Sequence, residues 1–510
     1  GITASVVVAF IFTFTVYNLN NPTKFNRLFA SIGSVPNENF NDTNFYTCVV
    51  DAYNSANRTS KAYTDNLTDD ELSSIKKINC YRNNIEDTKG IEKLNGLTEL
   101  SLDNNLFTNI DLTNNTLLEK LSISNEKVDN QLANIDISKN TALTELNLEE
   151  NKLTSIDVSK NTALTTLYLG SNQLASIDLS NNTSLTTLSL YSNQLTNIDV
   201  SKNTALTTLD LSDNQLASID VSVNTSLTDL YLDSNQLTSL DLSNNTSLTD
   251  LDLSDNNLES IDLNNNRYLN FLSLSGNKIE KIDLSNNLNL EDLYLENTKI
   301  QNLDLSKNTA LTCLYIDDTP LKEDILMQVG EIYQIKEKIV PPEGQSFTYS
   351  IGDTSVTTIE GNTITAQSEG NTTLTTTFGN ISFDRKLVVG NVKLSTTGDY
   401  VKISNDEKYI YLNHYDPATL YDLSKEINSN FGNVRIENNI AVVASGNKIV
   451  AEYKLIYLEQ AINATNDYIL LSTSVDCLDY INAVNCTYEL LNDGNEIVVK
   501  YNDSEIDRKK

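Results

Sequence analysis

The apolar positions of this chain fall into one recurring phrase. "LTTLYLGSNQLASIDLSNNTS" occupies residues 164–184, and "LTTLSLYSNQLTNIDVSKNTA" follows it directly. Aligned on the first Leu, the phrase starts at Leu97, Leu118, Leu143, Leu164, Leu185, Leu206, Leu227, Leu248, Leu269 and Leu290. The step is 21 residues, apart from a 25-residue unit at Leu118. A divergent 22-residue unit begins at Ile75, and a partial one, "LTCLYIDD", at Leu311. At the head of each unit Leu alternates with other residues, as Leu167 and Leu169 do around Tyr168. That spacing predicts a short strand with Thr166, Tyr168 and Gly170 pointing outward. One such strand cannot bury its own leucines, so the units must stack, each adding a strand to a parallel sheet. Some eleven strands at about 4.8 Å give a sheet on the order of 50 Å long.

A fixed period carrying L-x-x-L-x-L-x-x-N is the signature of leucine-rich repeats. The expected fold class is therefore α+β of the repeat type, a solenoid with a parallel concave sheet and a helical N-cap. Asn fills the ninth position (Asn83, Asn105, Asn151, Asn172, Asn193, Asn214, Asn235, Asn256, Asn277) and reads as a ladder serving buried backbone groups at one turn. A second Asn column (Asn161, Asn182, Asn203, Asn224, Asn245, Asn266, Asn287, Asn308) serves the other turn. An Asp column (Asp157, Asp178, Asp199, Asp220, Asp241, Asp262, Asp283, Asp304) places like charges side by side. Turn capping or bound cations would offset the repulsion, and no EF-hand loop is present.

Only the outward third, fifth and seventh positions vary freely. They bring Tyr168, Tyr191, Tyr231, Phe271, Tyr294 and Tyr315 into a field of carboxylates that includes Asp210, Asp229, Asp233, Asp250, Asp252, Asp292 and Glu296. Exposed aromatics on a rigid face give large contact area at low rotamer cost, which marks these thirteen residues as candidate ligand contacts. The plain alternative is that Tyr is a good strand former and Asp keeps the sheet soluble. Carboxylate pairs arise by default in parallel columns, so they do not indicate a glycosidase.

Around the repeats the pattern changes. The run "ITASVVVAFIFTFTVY" (2–17) is uncharged and apolar, as a leader or signal anchor would be. Residues 1–22 are assigned to it, and 23–74 to a helical N-cap. There Phe45, Cys48, Val49 and Ala52 have helical spacing, and Thr68 with Glu71 forms a capping box. Cys80 falls on an inward position and could meet Cys48, as a disulfide or as two buried thiols. The solenoid with its closing segment is expected over 75–330. Thr/Ile-rich strands punctuated by Gly361, Gly370, Gly379 and Gly390 suggest a β-sandwich over 331–393. Two related β-rich modules follow at 394–460 and 461–510, each with one short helix, the second apparently cut short.

Charge and composition narrow the function. A formal net charge of −33 repels nucleic acid and anionic lipid headgroups, leaving the apolar run 2–17 as the expected membrane contact. A lone His414 rules out multi-histidine metal sites, and the five cysteines show neither CxxC nor zinc spacing. No catalytic residue, metal or cofactor is expected.

The units "LTTLYLGSNQLASIDLSNNTS" and "LTTLDLSDNQLASIDVSVNTS" resemble the repeats of the internalin family of Gram-positive surface proteins, most closely the internalin J-type branch. One core position of that branch is often Cys; here it is Leu almost throughout, with Cys80 the exception. "TSVTTIEGNTITAQSEGNTTLTTTFGN" is similar to bacterial group 2 immunoglobulin-like modules. The resemblance implies a non-enzymatic, exported, surface-held adhesion protein binding a host or neighbour protein or glycan, with the β-modules as a stalk. No LPxTG sorting signal is present. The alternative is a structural spacer presenting a further domain.

Overall fold

In a computed structural model of the chain, residues 38–125 and 131–390 are described in full, with the backbone of strands between Leu394 and Lys509. The apolar run 2–17, the short helices expected in the two last modules, and His414, Cys477 and the side chain of Cys486 lie outside the described residues. Two compact units are distinguished: one contains the repeats up to Tyr315 except Ile300–Leu303, and the other holds those four residues and the chain from Ile316.

In the first unit twelve short strands, from Lys77–Asn79 to Cys313–Tyr315, pair in parallel and in sequence order. The register is strict: Thr166 pairs with Thr187, Leu167 with Leu188, Tyr168 with Ser189. The middle residue of each strand is buried; Leu146, Leu167, Leu188, Leu209, Leu230, Leu251, Leu272 and Leu293 are all fully enclosed. Truncating one such Leu would cost about 2–5 kcal/mol, because rigid neighbours cannot collapse into the gap.

The ninth-position Asn explains why the repeats close only on each other. The Asn214 amide donates to the Leu211 and Ser212 carbonyls of its own unit and to Leu190 of the unit before. Its Oδ1 accepts the Leu195 N–H, again from the preceding unit, at 3.0 Å. In the other column Asn203 donates both amide hydrogens backward, to Leu179 and Asn182 carbonyls. The Asp column is engaged in capping: Asp178 Oδ1 accepts the Ser180 N–H and Asp199 that of Ser201. Bonds to the side chain and backbone of the serine two residues on hold both carboxyls below the usual range.

Two further columns have structural tasks. Thr at position two donates its hydroxyl to the preceding unit, as Thr186 does to the Thr165 carbonyl at 3.1 Å. Position eight is left-handed in nearly every unit, with φ of 52° at Ser171, 50° at Ser192 and 51° at Asp213. Only Ser, Asp, Asn, Glu or Gly occupies it among the positive-φ positions of the units from Leu97 onward. This turn thus tolerates a short polar side chain or Gly, and Glu150 is the one longer one.

Before the first strand, helix Thr43–Asn57 is capped by Asp42, whose Oδ1 accepts from the Asn44 and Phe45 N–H groups. Helix Asp69–Ser74 opens with both bonds of the Thr68–Glu71 capping box. Phe45, Val49, Leu72, Ile75 and Ile78 are buried there, and Cys48 is bonded to Cys80 across a Cα separation of 5.9 Å.

The second unit opens with two sheets. One orders Ile325–Met327, Ile381–Val389, Gly370–Phe378 and Thr348–Ile351; the other orders Ile332–Gln334, Thr363–Ala366 and Thr357–Glu360. They share a core that includes Met327, Ile364, Leu374 and Leu387. Arg385 and Glu337, each under a tenth exposed, form an ion pair inside it, and the same guanidinium donates to Thr376. Farther on, backbone strands form a five-stranded sheet containing Tyr409–Leu412 and Lys448–Tyr457, and a three-stranded one ending at Ser504–Lys509.

Replacing Asn214 by Ala removes three donated bonds and one accepted bond from a buried turn. The expected loss is at least about 2 kcal/mol, since the abandoned carbonyls have no route to water. Urea denaturation followed by far-UV circular dichroism checks this; a midpoint unchanged from wild type would contradict the closure role.

Candidate functional site

The thirteen outward residues singled out from the sequence all lie on one face of the twelve-stranded sheet or on the turn just beyond it. Register fixes which of them meet. Asp229, Asp250, Phe271 and Asp292 are successive neighbours in the third-position column. In the fifth-position column Asp210, Tyr231 and Asp252 are neighbours, and Tyr294 sits beside Tyr315. Tyr191, Asp233 and Glu296 belong to the seventh position, past the strand end. All are half-buried except Tyr315, which is exposed.

The aromatics form three separate groups. Phe271, Tyr294 and Tyr315 make a continuous platform, with ring centroids 5.4 Å and 4.5 Å apart, the last pair stacked. Tyr231 stands alone among Asp210, Asp229, Asp250 and Asp252; burial first, then those charges, raises its phenol pKa. Tyr168 and Tyr191 lie toward the amino-terminal side. The Tyr191 ring rests on Gly170, where a Cβ would come within 2.0 Å of its Cε1 atom. Gly170 is therefore a seat for Tyr191 and not a contact residue in its own right.

Charge changes character along the face. At the amino-terminal end Lys77, Glu99, Lys120 and Glu145 are register neighbours of alternating sign. They pair as Lys77–Glu99 and Lys120–Glu145, both at 2.7 Å. These residues were not among the sequence candidates, although the third position of the first units carries them in plain order. A groove of about 790 Å³ lies here, between helix Thr43–Asn57 and the first strands, lined by Ala52, Ala56, Lys76 and this ladder; it contains none of the aromatic candidates.

Toward the centre the carboxylates lose such partners. Burial, followed by the Asp252 charge, pushes the Asp233 carboxyl up to about 6. Burial likewise raises Glu149, with Glu150 and Asp210 adding to the effect. Cys313, the free thiol on this face, is held up by its hydrogen bond to Asp292. Among the described residues no group of three or more His, Cys, Asp or Glu side chains is placed to hold a metal ion. No helix among them is long and apolar enough to cross a membrane.

This geometry is that of a leucine-rich-repeat protein, and family models agree: two copies of the repeat match residues 162–203, and a single-repeat model matches 202–221 and 244–263. A curated relative, internalin J of Listeria monocytogenes serotype 4b (strain F2365), is 35% identical over 80 residues, 16% of this chain and 8% of that protein. The match thus spans less than a tenth of that relative. Among solved structures, the functional domain of InlJ from Listeria monocytogenes is 27% identical, with a TM-score of 0.50 over 70% of this chain and 98% of that one. The internalin InlF of Listeria monocytogenes strain 4b F2365 is 26% identical, with a TM-score of 0.45 over 56% and 92%. InlJ is described as including a cysteine ladder. Here position six is Leu148, Leu169, Leu190 and their successors, and Cys80 is spent on Cys48.

The raised and lowered acids give opposite pH slopes. Ionised Asp233 opposes folding, because its folded pKa exceeds the unfolded value; that opposition fades as pH falls from about 6 toward 4. The capping aspartates are shifted the other way, so their contribution is full above about 4 and is lost below it. Asp233→Asn should therefore raise stability at pH 7 by about 1 kcal/mol, after discounting for solvent screening, and by nothing at pH 4. Urea midpoints at pH 7, 5.5 and 4 test it; a difference constant across the three would refute the assignment.

Proposed function

We propose that the chain is a non-enzymatic recognition protein, held at or beyond the cell surface, that binds a protein or glycan through the aromatic and acidic face of its solenoid. The platform of Phe271, Tyr294 and Tyr315 carries the reading most directly. Three rings remain open on a rigid sheet although nothing in the repeat requires aromatics at those positions; elsewhere the third position holds Lys, Glu, Thr, Asp or Cys, and the fifth Asn, Ser or Asp as well as Tyr. Likeness to internalin structures supports the recognition class, and by the same analogy residues 23–74 serve as the N-cap of a solenoid over 75–330. Residues 331–393, with their two sheets around one core, fit an immunoglobulin-like spacer, followed by modules at 394–460 and 461–510.

The test uses the full chain and its Tyr231→Ala/Phe271→Ala/Tyr294→Ala variant on panels of cell-surface proteins and glycans. Losing three central aromatic contacts should weaken any wild-type interaction on the order of a hundredfold. The side chains are half-exposed, so folding should survive. Undiminished retention of every partner that the wild type captures would sink the proposal.

A further inference from the structure

The fifth-position column has an order of its own. From Tyr168 it runs Tyr168, Ser189, Asp210, Tyr231, Asp252, Ser273, Tyr294, each paired in register with the next. Over these seven strands Tyr recurs every third strand and the sequence reads the same from either end, with Tyr231 at the centre; Tyr315 then follows directly beside Tyr294. Three strand spacings set neighbouring tyrosines about 14 Å apart along the solenoid, and the outer two about 29 Å. Duplication of a three-unit block does not account for this. The third position over the same strands runs Thr166, Thr187, Thr208, then Asp229, Asp250, Phe271, and the seventh is equally aperiodic.

Between the rings lie small or acidic residues. Ser189 and Ser273 are buried by their surroundings, whereas Asp210 and Asp252 remain half-exposed beside Tyr231. Tyr168, Tyr231 and Tyr294 are therefore separated from one another by a Ser and a carboxylate, and Tyr315 extends the last of them. Such a row offers stacking surfaces at constant intervals, with carboxylates between them that accept hydrogen bonds from hydroxyls and repel anions. A single globular epitope has no use for equal intervals; a ligand that repeats does.

We infer that this face binds a neutral, linear polysaccharide laid along the solenoid axis, with Tyr168, Tyr231 and Tyr294 as three evenly spaced stacking subsites. The inference rests on the preceding reading that this face is the binding face. It adds the class of ligand, its direction across the strands and the number of subsites. Linked subsites gain by effective concentration only when one chain is long enough to span them, so affinity should rise in steps with ligand length.

The probes are size-fractionated oligosaccharides of β-1,4-glucan, β-1,3-glucan, α-1,4-glucan and β-1,4-mannan, titrated calorimetrically into the full chain. With at least one series, affinity should rise about tenfold when the chain first spans two tyrosines and again when it spans three. Tyr168→Ala and Tyr294→Ala should each abolish the second step and leave the first. Tyr231→Ala should abolish the first, since no remaining pair is about 14 Å apart. Binding by none of the four series, or a smooth rise with length that the three variants leave untouched, overturns the inference. If a basic protein binds instead and the triple variant of the preceding section loses it, the recognition reading stands and the polysaccharide inference falls. Calorimetric values should not change with added anionic polymer; competition by it also counts against the inference.

Discussion

The structure depends on one kind of bond, a side-chain amide that closes its own turn by reaching into the unit before it. Asn214 needs Leu190 and Leu195; Asn203 needs Leu179 and Asn182. Both Asn columns keep this direction, and that gives the solenoid two unlike ends. At the start there is no earlier unit to receive the bonds, and Leu94 stands where later units carry the second Asn: its carbonyl accepts from Leu97 as that of Asn115 does from Leu118. Hydrophobic cover and a disulfide replace the missing hydrogen bonds there, with Phe45, Val49 and Leu72 buried and Cys48 tied to Cys80. A crosslink of this kind stabilises by about 2–4 kcal/mol, a reasonable substitute for a neighbour.

Strict register multiplies every choice by the number of units. For Leu this is favourable, since identical side chains stack into one dry column. For a carboxylate it is not, and the chain meets the difficulty in two ways. The Asp178 column turns each carboxylate onto its own backbone. The first strands alternate sign, Lys77 to Glu145. At the centre of the face Asp210 and Asp252 also turn onto their own backbone at Ser212 and Ser254, whereas Asp233, buried beside the Asp252 charge, has its carboxyl pushed up to about 6. On the proposed reading, a ligand and not the fold would supply the partner for that charge.

Much of this could be read from residues alone. Period, alternation of Leu167 and Leu169, both Asn columns and the helical spacing around Cys48 follow from side-chain directions that depend only on chain geometry. The missed features depend on backbone conformation or on pairs in different units. The left-handed turn at Ser171 left a faint signal, the restriction of position eight mostly to short polar residues and Gly. Position two looked like an ordinary exposed Thr, yet Thr186 is bound to Thr165. Gly170 is legible as an outward position, and only the placement of the Tyr191 ring reveals it as a seat. The Lys77–Glu145 ladder needed nothing beyond extending the outward columns to the first units.

Regularity in a repeat protein is weak evidence of function, because the fold demands it; departure from regularity is the informative part. The fifth position has a structural task where it is polar, since Asp210 and Asp252 accept the Ser212 and Ser254 N–H groups at the strand end, whereas Tyr168 is half-buried and Tyr315 exposed. Here it holds Tyr at every third strand through Tyr294 while its neighbours at positions three and seven do drift. On the proposed reading, the tyrosine spacing of this column matches the spacing of a ligand laid across these strands.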